Sequence, residues 1–528
     1  MVPKVKKSSA DAALSPRPNI SIGGAMKATE AYDRLLHHSK ETALYDSMRS
    51  LLGWDQRTYL PRGGNIHRTE QIAAITGLIN TRETDPERGE MLEIVENSEL
   101  VVDPLSDEAV NTREWRRVYD RACKIPRALV IELARATSEG ETAWETCRER
   151  NDWKGFLPYL KRIVSLKRRE ATTLAMGDEA YDGLVNDFEP GERSADIQFL
   201  FDRLARGLRE LLHKIQNSGN RPRSGILQGS SPIHAQKGFI GPLIERLGFD
   251  PGTGRIDRSA HPFTTGIGPG DVRITTRFDT NSFVGALLSA VHETGHALYE
   301  HGLPGEHWGT PRGTPISMAI HESQSLMWEN MVARSAGFWN YFYPSAVKHF
   351  PWLSEIERDQ FVLALNEAFP SLIRTEADEV TYNLHIILRF ELERALIRGD
   401  LEVEDLPKEW ENKMEEYLGI KPPDYSSGVM QDIHWSGGAI GYFPSYALGT
   451  MYAAQFYAKA EKDLGDLEEI FETGDFSTFL AWFRERIHSQ GSRYFPHDLV
   501  KQVTGEDLDP DYLLSYLNRK HGRLYGFA

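Results

Sequence analysis

The stretch SAVHETGHALYEHG, residues 289–302, places His292 and His296 four positions apart, with Glu293 directly after the first histidine. Apolar side chains recur around them at steps of three and four, which predicts a helix. These apolar positions are Val284, Leu287, Leu288, Val291, Leu298 and Tyr299. Residues four apart lie on one face of a helix, about 6 Å apart along its axis. The two imidazoles therefore share one face of a mostly apolar helix, where polar groups without partners are costly.

A metal ion is the partner that this spacing favours. Two imidazole nitrogens on one helix face can meet on one ion at roughly 2.0–2.1 Å each. Glu293 is rotated about 100° from His292 around the helix, so it is a poor ligand but can reach a water bound to the metal. This is the H-E-x-x-H arrangement of zinc hydrolases, in which the glutamate is the general base. The alternative is a buried histidine pair with a structural role and an exposed glutamate.

A catalytic zinc site usually takes a third protein ligand and leaves its fourth position for water. Glu300 is a poor candidate because it lies about 12 Å along the helix axis from His292. The pattern H-E-x-x-H-x-x-G-x-x-H does not apply either, because Tyr299 and Gly302 stand at its glycine and last histidine positions. The third ligand must therefore come from elsewhere in the chain.

The segment ISMAIHESQSLMWENMVARSAG, residues 316–337, predicts a second helix that packs on the first. The connection before it is rich in proline and glycine, which allows the chain to fold back. Glu322 lies in the middle of this segment, and we predict that it is the third ligand. The alternative is a surface carboxylate on an amphipathic helix.

The composition limits the class of protein. Of 528 residues, 40% are hydrophobic and 26% charged, values typical of soluble globular proteins. The net charge of −16 argues against a nucleic-acid surface and against anionic membranes. Only Cys123 and Cys147 occur, which excludes a disulfide framework and suits a reducing cytoplasm. The sequence contains no run of 18 apolar residues, so no membrane helix is predicted.

Most of the chain shows helical periodicity. Residues 1–25 are rich in Pro, Ser and Gly without the apolar run of a secretory signal, and they predict a disordered extension. Residues 26–528 lack a Pro/Ser-rich linker, which indicates a single, mostly helical domain. The stripes Leu44, Met48, Leu51, Leu52 and Leu200, Leu204, Leu208, Leu211, Ile215 predict two of its helices, the latter capped by Ser194. Further helical segments are 126–150, 156–176, 355–398, 408–418, 445–464 and 511–520.

One segment has the pattern of a β-hairpin. In HPFTTGIGPGDVRITTRF, residues 261–278, two β-prone runs flank the Gly- and Pro-rich stretch 266–270. The hairpin leads into the predicted metal-binding helix. Thr280 or Asn281 can cap the start of that helix, and Gly302 stands where it should end.

The chain carries, in this order, the motifs DVRIT (271–275), HETGH (292–296), HESQS (321–325), IRTEAD (373–378) and GVMQDIHW (428–435). Together these motifs resemble the carboxypeptidase Taq family of zinc metallocarboxypeptidases. H-E-x-x-H alone occurs in many zinc peptidases, whereas the combination in this order is highly specific. The opening LGWDQRTYLP, residues 52–61, is also similar to the family's N-terminal region, and the resemblance covers 27–528.

The resemblance implies a mainly α fold: a large helical zincin-type domain with a long active-site groove and a small β-sheet beside the zinc helix. It implies one Zn²⁺ per chain, for which Co²⁺ can substitute, and a homodimer. It further implies removal of single residues from the free C-terminus of peptides by Glu-assisted attack of a zinc-bound water. His292, His296 and Glu322 are then the zinc ligands and Glu293 the base, with His321 as a structural neighbour.

The resemblance also directs attention to HWSGGAIGYFPSY, residues 434–446. Related zinc peptidases with a glutamate as third ligand place a histidine and a tyrosine from such a segment over the scissile carbonyl. By that similarity we assign Tyr442 to the oxyanion, which needs a donor besides zinc, and His434 to the substrate. Tyr446 is a further substrate-binding candidate, although aromatic residues here also suit a core.

A carboxypeptidase must recognise a free α-carboxylate, and the arginine fork binds a carboxylate at two points. Arg374 in IRTEAD is the first candidate for this clamp, and Arg273 in DVRIT is the second. For Arg273 the alternative is a salt bridge to Asp271 or to another structural acid.

Two other classes of function use some of the same residues. A zinc oligopeptidase that cuts inside peptides would need the same zinc machinery and differ only in the carboxylate clamp. A non-catalytic scaffold stabilised by zinc would have no use for Glu293, because structural zinc sites close all four positions with ligands.

Overall fold

Helices dominate the chain in residues 26–223 and 225–527, which a computed structural model describes, and a small three-stranded sheet accompanies them. The predicted mainly α fold class is therefore confirmed. The disordered extension predicted for 1–25 lies outside the described residues. No helix within the described ranges combines the length and apolar character that crossing a membrane requires.

The first half of the chain is built from helices with local capping signals. Their bounds are α1 Ala28–Thr58, α2 Asn65–Glu83, α3 Pro86–Glu96, α4 Asp107–Lys124, α5 Arg127–Glu149, α6 Trp153–Leu174, α7 Ala180–Val185, α8 Ser194–Gln216 and α9 Ile233–Leu247. The side chains of Asp85, Ser106 and Asp152 accept backbone N–H groups at the starts of α3, α4 and α6, which satisfies donors that a helix leaves unpaired. The predicted cap Ser194 is wrong: it is the first helical residue, and its hydroxyl bonds Asp182.

The two predicted apolar stripes have different outcomes. Leu204, Leu208 and Leu211 on α8 are fully buried. Leu44 and Met48 on α1 stay 49% and 52% exposed. Periodicity therefore predicts each helix, but it does not predict whether the apolar face of the helix packs against another element.

The sheet contains the predicted hairpin and one additional strand. Strands β2 (Thr264–Gly268) and β3 (Asp271–Thr276) pair antiparallel, and Gly270 takes φ +78° in the turn between them, a conformation that favours glycine. Strand β1 (Gly254–Arg258) pairs parallel to β3 and was not predicted. The strand order β1-β3-β2 leaves β2 at an edge.

The second half of the chain is again helical. Its helices are α10 Val284–Gly302, α11 Met318–Leu326, α12 Ala336–His349, α13 Arg358–Leu365, α14 Tyr382–Arg398, α15 Leu406–Leu418, α16 Pro444–Leu464, α17 Leu467–Glu472, α18 Ser477–Arg486, α19 Pro496–Thr504 and α20 Pro510–Tyr525. A π-helical turn, Met327–Val332, continues α11. Short 3₁₀ turns occur at Arg62–Gly64, Glu99–Val101, Gly305–His307, Pro311–Gly313, Pro351–Glu355, Arg374–Glu376 and His488–Arg493.

The start of α10 differs from the prediction. The helix begins at Val284, and the hydroxyl of Ser282 accepts the Val284 N–H at 3.3 Å. Thr280 and Asn281 therefore lie before the helix, in the turn that follows the hairpin, and the cap assigned to them is wrong. The predicted end at Gly302 is confirmed.

The helix predicted over 355–398 is interrupted. Between α13 and α14 the chain passes through Pro370, which cannot supply a helical N–H. Asp378 then accepts the N–H groups of Val380 and Thr381 at 2.9 and 3.0 Å, so a side chain replaces helical hydrogen bonds just before α14.

Helix α10 lies inside the largest hydrophobic core. Its Leu287, Ala290, Val291 and Leu298 have no exposed surface. It contacts α9, α11, the π-helical turn and strands β2 and β3. The helix that carries the H-E-x-x-H motif is therefore held on several sides, and a separate small core joins α1, α3 and α4.

Candidate metal centre and active site

His292 and His296 of α10 and Glu322 of α11 lie together. One ligand atom from each of the three residues falls within 4.8 Å of the others. Nε2 of His296 is 3.4 Å and Nε2 of His292 is 4.0 Å from the Glu322 carboxylate. Two imidazole nitrogens and one carboxylate are a donor set that suits zinc and leaves a coordination position open.

Two glycines allow the helices to approach closely enough to form this group. A Cβ on Gly295 of α10 would lie 2.6 Å from the Cα of Ser325 and 2.7 Å from a carbonyl oxygen of α11. A Cβ on Gly449 of α16 would lie 3.1 Å from the Cβ of Glu322. The backbones of α10 and α11 are therefore in direct contact, which brings Glu322 to the histidines.

The charges at this group favour a cation. Burial lowers the pKa of His296 to about 4, so its imidazole is neutral at pH 7, the form that binds metals. Burial acts to raise the pKa of Glu322, but His296 and His292 lower it to about 2. Burial acts to lower the pKa of His292, whereas Glu329 and Glu322 raise it to about 10. The carboxylates thus stabilise positive charge here, which a divalent ion also supplies.

Glu293 of α10 contacts strand β2 beside the three-residue group. It is 7% exposed, and the Thr264 hydroxyl of β2 donates to its Oε2 at 2.6 Å. Burial raises the pKa of Glu293 above the usual glutamate range, and a higher pKa makes a carboxylate a better base. The sequence did not indicate this contact of Thr264, because only the packing of β2 beside α10 brings the two side chains together.

His434 and Tyr442, from the segment before α16, lie beside Tyr446 in the first turn of that helix. Nε2 of His434 is 3.4 Å from the Tyr446 hydroxyl, and the Tyr442 and Tyr446 rings are 5.1 Å apart. Burial lowers the pKa of His434 to about 4 and raises that of Tyr446 to about 12. Burial, Tyr446 and then the charge of Glu322 raise the pKa of Tyr442. Both phenols therefore keep their protons at neutral pH and can donate hydrogen bonds.

Arg374 belongs to the same region. Its Nε and Nη2 donate to Asp432 at 3.0 and 2.8 Å, and its guanidinium lies 5.3 Å from the Tyr446 ring centre. Arg389, fully buried on α14, donates to the other oxygen of Asp432 at 2.7 Å. Sequence reasoning missed Asp432 and Arg389, although QDIHW places Asp432 two residues before His434.

Arg273 has different partners. Its Nε and Nη2 donate to Asp271 at 2.8 and 2.7 Å, and its guanidinium lies 4.3 Å from the Trp54 ring centre of α1. The structural salt bridge considered as the alternative for Arg273 is thus present. These contacts belong to the sheet and α1, whereas Arg374 contacts the His434 segment.

The chain is similar to known proteins of one family. The family model described as carboxypeptidase Taq (M32) metallopeptidase matches residues 34–521. The chain belongs to this family. The resemblance inferred from the motifs is confirmed, and membership makes the chain a metallocarboxypeptidase that uses a metal cofactor.

Individual members of the M32 family match over almost their whole length. Thermostable carboxypeptidase 1 of Thermus thermophilus is 51% identical over 510 residues, 95% of this chain and 100% of the relative. Carboxypeptidase 1 of Bacillus subtilis is 38% identical, over 92% and 97% of the two chains. The solved structure of Pyrococcus furiosus carboxypeptidase in its apo-Mg form has a TM-score of 0.91 at 36% identity, covering 93% and 99%.

In this M32 metallocarboxypeptidase, further residues that the sequence did not indicate support the candidate ligand His292. Nδ1 of His292 lies 2.9 Å from Glu329, and Arg334 donates to Glu329 at 3.2 Å. A carboxylate on the second ring nitrogen orients a metal-binding histidine. Glu329 follows Glu322 by seven residues, or two helical turns, and lies in the π-helical turn, a feature frequent at functional sites.

His321 supports the centre from the other side. Its ring stacks on His296 with 4.4 Å between ring centres, and its Nε2 lies 2.9 Å from Glu300. His321 thus lies next to His296, a predicted ligand, as expected for a structural neighbour. That role stays a prediction.

A cavity of about 810 Å³ lies between α1, α2, α4, the β2–β3 turn and the connection 303–316. Gly266, Ile267 and Gly268 of β2 line it, as does Glu300. Because Thr264 at the start of β2 bonds Glu293, this edge strand connects the metal centre with the cavity.

Proposed function

We propose that this M32 metallocarboxypeptidase is zinc-dependent and removes single amino acids from the C-terminus of peptides. The observation that carries the proposal is the group of His292, His296 and Glu322, with Glu293 buried beside it but outside the ligand set. An acid that borders a three-ligand site is the arrangement of a catalytic centre and not of a structural one.

The donor set supports one zinc ion per chain, and Co²⁺ can replace it because nitrogen and carboxylate sites bind several divalent metals. When bound, zinc supplies a Lewis acid that polarises the peptide carbonyl and lowers the pKa of water. His292, His296 and Glu322 would hold it. The remaining chemistry comes from side chains of this chain.

Glu293 is the proposed base. Its Oε2 is held by Thr264, so the carboxylate has a defined orientation. It takes a proton from the attacking water and then passes it to the nitrogen of the leaving amino acid. The Tyr442 hydroxyl donates to the oxyanion that develops on the peptide carbonyl, and His434 binds the substrate beside it.

Arg374 is the proposed clamp for the terminal carboxylate, with Tyr446 alongside. Two guanidinium groups, Arg374 and Arg389, share the single carboxylate of Asp432. One positive charge therefore remains for the substrate carboxylate in a buried site, where charge-assisted bonds are strong. The rest of the peptide can pair with the edge strand β2 and run toward the adjoining cavity, which gives backbone binding without sequence specificity.

An unblocked peptide should be cleaved roughly 10–150-fold faster than its C-terminally amidated twin. The amide loses charge-assisted bonds worth about 1.5–3 kcal/mol. Mass spectrometry of products over time should show stepwise removal of single residues, and a chelator should stop it. Equal rates on both peptides, with internal cuts, would support the oligopeptidase alternative.

Arg374→Ala and Arg273→Ala form a matched pair for the same assay. Arg374→Ala should reduce the preference for the free acid toward unity, whereas Arg273→Ala should keep it because Arg273 pairs with Asp271. The reverse result would transfer the clamp to Arg273.

We also propose that residues 26–528 act as one domain and that the protein is a cytoplasmic homodimer. Both cysteines are free, as expected in a reducing compartment. Light scattering of the purified protein should give twice the chain mass of 59.9 kDa. A mass of one chain at micromolar concentration would refute the dimer.

A further inference from the structure

We propose that Glu393 is a positioning residue that sets the places of His434 and Tyr442 for catalysis. Glu393 lies on α14 and is fully buried. The inference rests on the roles proposed above for His434 and Tyr442, and the experiment below tests the two ideas separately.

The carboxylate of Glu393 holds the His434–Tyr442 loop at both ends. Its Oε1 accepts the indole N–H of Trp435 at 2.7 Å, and Trp435 directly follows His434. Its Oε2 accepts the backbone N–H of Gly441 at 2.9 Å, and Gly441 directly precedes Tyr442. One carboxylate thus ties the chain next to each of the two residues.

This loop has little regular structure of its own. Residues 433–443 form turns without helix or strand. Backbone bonds close the turns within 433–440, whereas the Gly441 N–H goes to Glu393. Gly441 has φ +98°, and a Cβ there would lie 2.8 Å from the Leu184 carbonyl oxygen of α7. The backbone must therefore pass close to α7 to present its N–H to Glu393, a conformation that glycine permits.

A third contact to the same carboxylate does not involve the loop. The Tyr181 hydroxyl of α7 donates to Oε2 at 2.6 Å. Burial raises the pKa of Glu393 to about 7, although Tyr181, Gly441 and Trp435 each act to lower it. Burying an acid this completely costs free energy, and an apolar side chain of similar size would fill the same space without that cost. The presence of Glu393 here therefore supports a role beyond packing.

The geometry defines a sensitive substitution and a matched control. In Glu393→Gln one oxygen becomes an NH₂ group, so either Trp435 Nε1 or Gly441 N must face a donor. Tyr181→Phe removes a hydrogen bond of similar length to the same carboxylate but leaves both loop contacts in place. Trp435→Phe removes one loop contact and keeps an aromatic ring in the core, which offers a milder test if Glu393→Gln folds poorly.

Kinetics of the zinc-loaded enzymes on an unblocked peptide should separate these variants. Glu393→Gln and Trp435→Phe should lower kcat, up to about 100-fold, since small misplacements of catalytic groups have effects of this size. KM should rise as well, because His434 binds the substrate, whereas the zinc content should change little. Tyr181→Phe should lower the melting temperature and keep kcat. If all three variants lower only the melting temperature, Glu393 has a purely structural role and the proposal fails.

A double-mutant cycle with Tyr442→Phe tests whether Glu393 acts through Tyr442. Tyr442→Phe should lower kcat strongly in the wild type but much less in Glu393→Gln, because the effects of substitutions that act through one another on the same step are not additive. Additive effects on kcat would overturn the positioning role while leaving Tyr442 as the oxyanion donor. No effect of Tyr442→Phe in the wild type would instead overturn the role proposed for Tyr442.

Discussion

Glu293→Gln is expected to keep one metal ion per chain and to lose about 10²–10⁴-fold in kcat, the range that general acid–base catalysis contributes. Glutamine has the size of glutamate, and its carbonyl can still accept the Thr264 hydroxyl, so the local packing is preserved. What it lacks is a basic oxygen for the proton of the attacking water. Metal content by mass spectrometry and kcat on an unblocked peptide measure the two properties separately.

Thr264→Val provides the control for this substitution. It leaves the base in place and removes only the hydroxyl that orients it, so the loss in kcat should be clearly smaller than for Glu293→Gln. A metal-replete Glu293→Gln enzyme within tenfold of wild-type kcat would show that another group is the base.

The second large effect is expected at Glu322. Glu322→Gln replaces a charged ligand by a neutral amide, and the partly buried histidines lose the carboxylate 3.4 and 4.0 Å away. Substitution of a residue that only hydrogen-bonds a metal ligand lowers metal affinity about 10–100-fold. Because Glu322 is a proposed ligand itself, its substitution should lower zinc affinity by more than this. Equilibrium dialysis against a competing chelator measures this affinity directly, and activity should fall in proportion to bound zinc.

Two neighbouring acids make this experiment specific. Glu329→Gln removes the partner of His292 and should weaken zinc binding about 10–100-fold. Glu300 lies 2.9 Å from His321, the same distance as Glu329 from His292, but His321 is not a predicted ligand. Glu300→Gln should therefore keep near wild-type zinc affinity. Wild-type zinc binding in Glu322→Gln, or a loss in Glu300→Gln as large as in Glu322→Gln, would contradict the ligand assignment.

The local features of the centre follow from the sequence. A helical spacing of four places His292 and His296 on one face whatever surrounds the helix. Two β-prone runs on either side of a Gly- and Pro-rich stretch predict the β2–β3 hairpin. The motif set indicates the carboxypeptidase Taq family, and the family model that matches residues 34–521 confirms it. Glu322 was predicted from its position in an apolar segment, and the structure brings it to the two histidines.

Contacts between distant segments are decided only by the tertiary structure. Strand β1 was missed because its parallel pairing with β3 depends on a partner about 18 residues away and on no local pattern. The partners of the predicted site residues were missed for the same reason: Thr264 reaches Glu293 across the sheet, and Glu329 reaches His292 between helices. Spacing along a helix or strand is a property of the local backbone, whereas these contacts exist only once separate elements have packed together.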